Sequence, residues 1–145
     1  MAGLKRDAPI PTEIKLHKTS RVLEITFSNT AKFRLPCEFL RVLSPSAEVR
    51  GHGPGQEVVQ AGKREVNINH IEQVGNYAIR PVFSDGHDSG IYSWDLLYEL
   101  GSNQEKLWQQ YLSRLLKAGM SRDGRRVFEI KAVAASTLGK RESLN

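Results

Sequence analysis

Apolar and polar residues take turns from Glu13 to His17 and again from Arg21 to Ser28, the two-residue period of strands with one buried face. Lys18-Thr19-Ser20 between them is of hairpin length. Asn29-Thr30-Ala31 makes a second turn, and Lys32-Phe33-Arg34-Leu35 reads as a third strand. Pro36 stops that strand and opens a helix, because its missing N–H is not needed in a first turn. Cys37, Leu40 and Leu43 then share one helical face, ending near Ser44-Pro45. Glu48 to Lys63 predicts a long loop, with three glycines and a proline in the run Gly51 to Gln56. Alternation resumes from Glu65 to Val74. A phase shift between Ile68 and Ile71 predicts a bulge there. Gly75-Asn76 turns the chain back through Tyr77 to Phe83, where Pro81 predicts an edge or bulged strand.

The stretch Ser84 to Gly101 is the densest in local signals. Asp85-Gly86 marks a turn, and Gly90-Ile91-Tyr92 resumes an extended run. Ser93 stands at an N-cap position before Trp94, Leu96, Leu97 and Leu100, and Gly101 suits the residue after a helix end. His87 falls at the exposed corner of this hairpin, where function tends to collect. A longer helix is predicted from Asn103 to Ala118. Ser102 is its cap, Glu105 sits in its first turn, and Leu107, Trp108, Tyr111, Leu112, Leu115 and Leu116 form one stripe. Gly119 ends it. The predicted fold class is α+β: a small antiparallel β-sheet domain with a short helix after strand 3 and a long C-terminal helix packed on the sheet. The predicted domain spans residues 11–119, between a flexible N-terminus at 1–10 and a loose basic tail at 120–145, in which Val127 to Val133 forms a weak apolar patch.

A chain of 145 residues suits one domain with a proper core. Hydrophobic residues make up 39% and the mean hydropathy is −0.42, as expected of a soluble globular protein. No run approaches the roughly 18 apolar residues of a membrane span, and the N-terminus has no apolar signal core. The single cysteine, Cys37, excludes an internal disulfide and a multi-cysteine zinc site. The expected compartment is therefore the cytoplasm. Net charge is +5, all of it beyond residue 113: residues 1–113 carry 13 basic and 13 acidic side chains, residues 114–145 carry 8 and 3. A nucleic-acid domain carries its basic face on its folded part, so the pattern argues for a solvated terminus and against nucleic acid.

Candidate chemistry is sparse. His87 is flanked by Asp85 and Asp88, while His52 and the pair His70-x-Glu72 lie elsewhere; the pair shares one face of a predicted strand. Metal sites need convergent ligands, and neighbours on a turn rarely converge, so the simpler reading of His87 is a turn histidine with a local hydrogen bond. The run Gly51 to Gln56 could make an anion nest. The chain lacks a P-loop, because Gly62-Lys63 and Gly139-Lys140 are each followed by arginine and lack the earlier glycine. Cys37 at a helix start reads as a half-buried structural residue, and Ser44 and Ser46 have no nucleophile-elbow context. Tyr92, Trp94, Trp108 and Tyr111 fall on apolar faces and read as core. No complete catalytic constellation emerges, so the expectation is a protein that is not an enzyme.

The stretches EFLRVLSPSAEVRGHGPGQ and VGNYAIRPVFSDGHDSGIYSWDLLYELG resemble the gamma-butyrobetaine-hydroxylase-like N-terminal domain family, long a domain of unknown function. The resemblance runs from about Pro11 to Gly101, and the portion from Asp85 to Trp94 is its specific part. It implies a small α+β unit, found alone in bacteria, ahead of dioxygenase domains in hydroxylases, and fused to Mrp-type ATPases that carry iron–sulfur clusters. In the hydroxylase branch it implies a structural zinc held by three cysteines and a histidine. Here Leu40-Arg41 and His87 match that pattern, but Ser44, Ser46 and Val49 stand where the cysteines would be. The chain therefore resembles the stand-alone type without zinc ligands, with no cofactor and no metal expected. A dioxygenase domain is not expected in the residues after Gly101. What the resemblance implies is an accessory or protein-interaction module whose partner is an iron–sulfur assembly or carrier protein. The alternative is a small-molecule or weak metal-binding domain using His87 and nearby loops; weak nucleic-acid binding by the tail ranks third. The expected binding or clasp cluster is Arg41, Ser44, Ser46, Arg50, His52, Asp85, His87 and Asp88, where the Ser44–Gln56 loop meets the His87 turn.

Overall fold

The computed structural model describes residues 8–51 and 56–124. Strands β1 (Pro11–His17), β2 (Val22–Phe27) and β3 (Lys32–Pro36) form an antiparallel sheet in that order. The alternation of β2 sends Leu23, Ile25 and Phe27 into the core at 1% exposure or less. Its outward Glu24 lies between Lys15 and Arg34 across the ladder. The predicted antiparallel pairing holds throughout, but it is divided over two sheets. The second consists of β4 (Ile68–Val74), β5 (Ala78–Phe83) and the two-residue β6 (Tyr92–Ser93). The expected bulge is present, as a register shift between Ile68 and His70. Pro81 lies in the central strand of that sheet, not at an edge. It is tolerated there because β6 reaches only Ala78 and Ile79, so β5 has a free side where Pro81, lacking an N–H, breaks no pairing.

Helix α1 (Cys37–Val42) starts at Pro36, as its fixed φ favours, and all six residues are buried. Helix α2 (Ala47–Arg50) was not expected, because the glycines that follow extend the loop signal backwards over it. Ser46 starts it by accepting the Glu48 N–H. Helix α3 (Trp94–Ser102) has the predicted cap, Ser93 Oγ accepting the Leu96 N–H at 3.1 Å. It does not stop at Gly101. A Cβ there would lie 2.3 Å from the Phe33 ring, so this glycine serves close packing of α3 on β3 rather than helix termination. The stop falls at Asn103, which also precedes α4 (Gln104–Lys117); Ser102 is thus the last residue of α3 and not the α4 cap.

The main core joins both sheets, α1 and α3, with Phe27, Phe33 and Tyr98 meeting edge-on at 5.0–5.9 Å. Leu107 and Trp108 bring the start of α4 into this core. Farther along, Tyr111 and Leu115 close instead on Val42 of α1, beside Val59 and Ala61. The predicted stripe is therefore one residue too wide, for Leu116 is 70% exposed. Cys37 is fully buried, not half-buried, and burial pushes its thiol up to about 11. The segment after Gly119 is not loose from its first residue. Met120 packs beside Tyr111 and Leu115, and Arg122 forks onto the buried carboxylate of Glu38 at 2.8 and 2.5 Å, over the Trp108 ring. The patch Val127–Val133 lies outside the described residues. Among the described residues no helix is long and apolar enough to cross a membrane.

Leu115→Ala is expected to cost about 2–5 kcal/mol, while Leu116→Ala stays within about 0.5 kcal/mol. Arg122→Ala, which strands Glu38, is expected to cost about 1–3 kcal/mol. Urea unfolding of the three variants checks this; equal values at Leu115 and Leu116 would refute the packing described.

Candidate functional site

His87 is drawn inward by its turn. Its N–H goes to Asp85 Oδ1 at 3.2 Å, and its carbonyl accepts the Phe83 N–H at 3.0 Å. The imidazole, expected at an exposed corner, is only 3% exposed and lies against the Phe83 ring. A buried imidazole needs partners for both nitrogens. Nε2 lies 2.8 Å from Ser44 Oγ and Nδ1 lies 3.0 Å from Glu48 Oε1. An ionised carboxylate only accepts, so the neutral ring carries its proton on Nδ1 and Nε2 accepts from the Ser44 hydroxyl. Ser44 Oγ in turn accepts the Ser46 N–H at 3.2 Å, and Ser46 Oγ meets Ser89 Oγ at 2.7 Å. Burial holds His87 below the usual histidine value, with the Arg41 charge acting the same way and the Glu48 carboxylate opposing.

Arg41 extends the arrangement beneath the turn. Though 7% exposed, its guanidinium donates to Asp85 Oδ2 at 2.9 Å and to Gln60 Oε1 at 3.0 Å. Burial alone would raise the Asp85 carboxyl; bonds from Lys63 and the His87 N–H, with the Arg41 charge, outweigh it and hold it at about 2. Ser44, Ser46, Arg41, Asp85 and His87 are therefore brought together as expected. Asp88 is not: it is exposed and turns to Arg80, at 3.4 Å. Arg50, at the end of α2, lines the groove described below, and His52 lies outside the described residues. The pair His70 and Glu72 does share one strand face, at 3.2 Å, apart from this cluster. The sequence reading missed Glu48, Gln60, Lys63 and Ser89. Only Glu48 left a signal, as the acid two residues after a capping serine.

Ser44, His87 and Glu48 have the hydrogen-bond order of a serine–histidine–acid relay. The geometry does not make a nucleophile. Ser44 has no exposed surface, and Gly90 covers it so closely that a Cβ there would lie 2.5 Å from Oγ. The nearest N–H, from Ser46, is spent on the serine oxygen rather than on a developing oxyanion. Nor do these residues fit zinc. Two of the positions that carry thiolates in the hydroxylase branch offer neutral hydroxyls already engaged with protein partners, Val49 offers no lone pair, and both nitrogens of His87 are used. Among the described residues, no three His, Cys, Asp or Glu side chains converge as a metal site.

Beside the cluster, and bordered by Ser44 as well, lies a groove of about 400 Å³. Val42, Val49, Val58, Leu100 and Leu107 give it an apolar lining, and Arg50, Arg114, Glu57 and Glu99 bring charge to it. Tyr111 closes its base and donates to the Gln60 carbonyl at 2.5 Å.

A two-sheet α+β domain with a tied loop is the class that this geometry defines. The chain matches the family described as gamma-butyrobetaine hydroxylase-like, N-terminal, over residues 14–98, and it belongs to that family. Two proteins solved by NMR in solution are similar to it. One is 53% identical, with 84% of this chain and 91% of that one covered and a TM-score of 0.70. The other is 49% identical, covering 79% and 90%, with a TM-score of 0.69. A crystal structure of a protein of unknown function of the DUF971 family, from Acidithiobacillus ferrooxidans, is 36% identical; 63% of this chain and 92% of that one are covered, with a TM-score of 0.54. No curated protein matches the chain.

Two outcomes follow from the cluster. Because folded His87 titrates below the roughly 6.5 of an unfolded histidine, its unfolded form takes the proton first and stability falls as pH drops through that value. The melting temperature of the wild type is expected to fall more between about pH 7.5 and about pH 5.5 than that of His87→Gln; parallel slopes would contradict the assignment. A fluorophosphonate probe is expected to leave Ser44 unlabelled, as read by mass spectrometry of the intact chain.

Proposed function

We propose that this domain is a non-enzymatic, cytoplasmic accessory module that receives a segment of a protein partner in the groove between α1, α2 and α4. One observation carries the reading. Among the described residues every buried polar side-chain atom is bonded within the fold, so His87 and Ser44 at the centre of the cluster are already committed to protein partners, while the apolar groove with its charged side chains is left open. The resemblance to domains fused to Mrp-type ATPases nominates an iron–sulfur carrier or assembly protein as the partner. A second reading is favoured by size: about 400 Å³ is within the range of small-molecule sites, so a compact ligand with an apolar body is the alternative occupant.

The test is titration of the labelled chain with a purified Mrp-type ATPase. Val58, which is 52% exposed in the groove, and Arg114 are the variants of choice. Val58→Asp and Arg114→Glu are expected to weaken binding by roughly tenfold or more without lowering the melting temperature, while His70→Ala binds as the wild type does. Binding that ignores both groove variants would reject the groove, and no binding at all would reject the nominated partner.

A further inference from the structure

We infer that the hydrogen-bonded clasp on His87 does the work of a structural metal: it locks α2 to the turn Ser84–Gly90 and thereby fixes one wall of the groove. Helix α2 has four residues, far too few to persist unless tertiary contacts hold them. Those contacts divide by side. Toward the turn, Ser46 meets Ser89 at 2.7 Å and Glu48 meets His87 at 3.0 Å, with Ser44 on the other ring nitrogen at 2.8 Å. Toward the groove, Val49 and Arg50 line the cavity, and the Val49 carbonyl takes the N–H of Val58, another lining residue, at 2.8 Å. The residues that tie the helix down, Ser46 and Glu48, thus lead directly into Val49 and Arg50, which shape the groove, and Ser44 borders both. The clasp is built from neutral hydroxyls, one carboxylate and one imidazole in complementary donor and acceptor roles, and among the described residues no three His, Cys, Asp or Glu side chains converge on a common centre. Its functional meaning rests on the groove being the binding surface, but the clasp itself is tested without a partner.

The experiment has two arms on the full chain. In the first, wild-type protein is incubated with zinc, desalted and analysed for metal, and melted with and without a strong chelator. Less than stoichiometric zinc and an unchanged melting temperature are expected; one zinc per chain, or a midpoint lowered by chelator, would overturn the inference. In the second, amide hydrogen exchange is followed in the wild type and in His87→Ala. Exchange at Val49, Arg50, Gly51 and Val58 is expected to rise by roughly tenfold or more, while the amides of α4 keep their protection. Glu48→Ala and Ser89→Ala, at the exposed end of the clasp, serve if His87→Ala does not fold, and are expected to give roughly severalfold increases at the same amides. Unchanged exchange there in variants that lack a clasp partner would show that α2 is held by other means. Because neither arm uses a partner, the clasp can fail while the groove binds, and the groove can fail while the clasp stands.

Discussion

Burying one imidazole organises this domain. A histidine at 3% exposure must have both nitrogens paired, and the two partners available come from a single segment about 40 residues earlier in the chain. That requirement pins the Ser44–Glu48 stretch against the Asp85–Gly90 turn. It also dictates small details. Gly90 must lack a side chain because Ser44 Oγ occupies the space, and Ser46 must present a hydroxyl to cap α2 and reach Ser89. The buried guanidinium of Arg41 works from below. Its guanidinium spans Asp85 and Gln60, and the Gln60 carbonyl receives the Tyr111 hydroxyl of α4. The loop that looks featureless in sequence is in this way tied to α1 through Arg41, to α4 through Tyr111 and to the Asp85–Gly90 turn through His87 and Lys63.

The sheets were largely legible because their signal is local and repeated. Leu23, Ile25 and Phe27 alternate with polar residues, and Val22 to Phe27 is a strand for that reason. The bulge at Ile68–His70 showed as a slip in that period. The errors came from residues whose meaning depends on something distant. Gly101 looks like a helix stop, but it is fixed by the ring of Phe33. Pro81 looks like an edge residue, and only the shortness of β6 lets it sit centrally. Leu116 continues a helical stripe whose width is set by how far α1 extends beneath it. Arg122 looked like one more tail cation, because nothing near it in sequence announces the buried Glu38.

The candidate cluster was half legible. The meeting of the Ser44 segment with the His87 turn followed from the family pattern of paired segments. What the pattern did not contain was Glu48, the residue that sets the tautomer of His87, because a metal-centred reading has no place for an acid there. Asp88 failed for a simpler reason. Consecutive residues on a turn point to different sides, and only Asp85 faces Arg41 while Asp88 faces Arg80.

A clasp of hydrogen bonds has a different energetic character from a metal knot. Structural zinc in small domains contributes roughly 10–16 kcal/mol, whereas a neutral hydrogen bond contributes about 0.5–1.5 kcal/mol net. The side chain of Glu48 is 70% exposed and the bond it makes competes with water, so its share lies toward the lower end. A segment held by such bonds opens more readily than the strands beside it, by local unfolding rather than by loss of the core. In this fold the segment so held is also a groove wall, carrying Val49 and Arg50. Hydrogen bonds among Ser44, Ser46, Glu48, His87 and Ser89 therefore hold this wall with a modest, distributed energy, and the proposed docking of a peptide segment would draw on that margin rather than on the core.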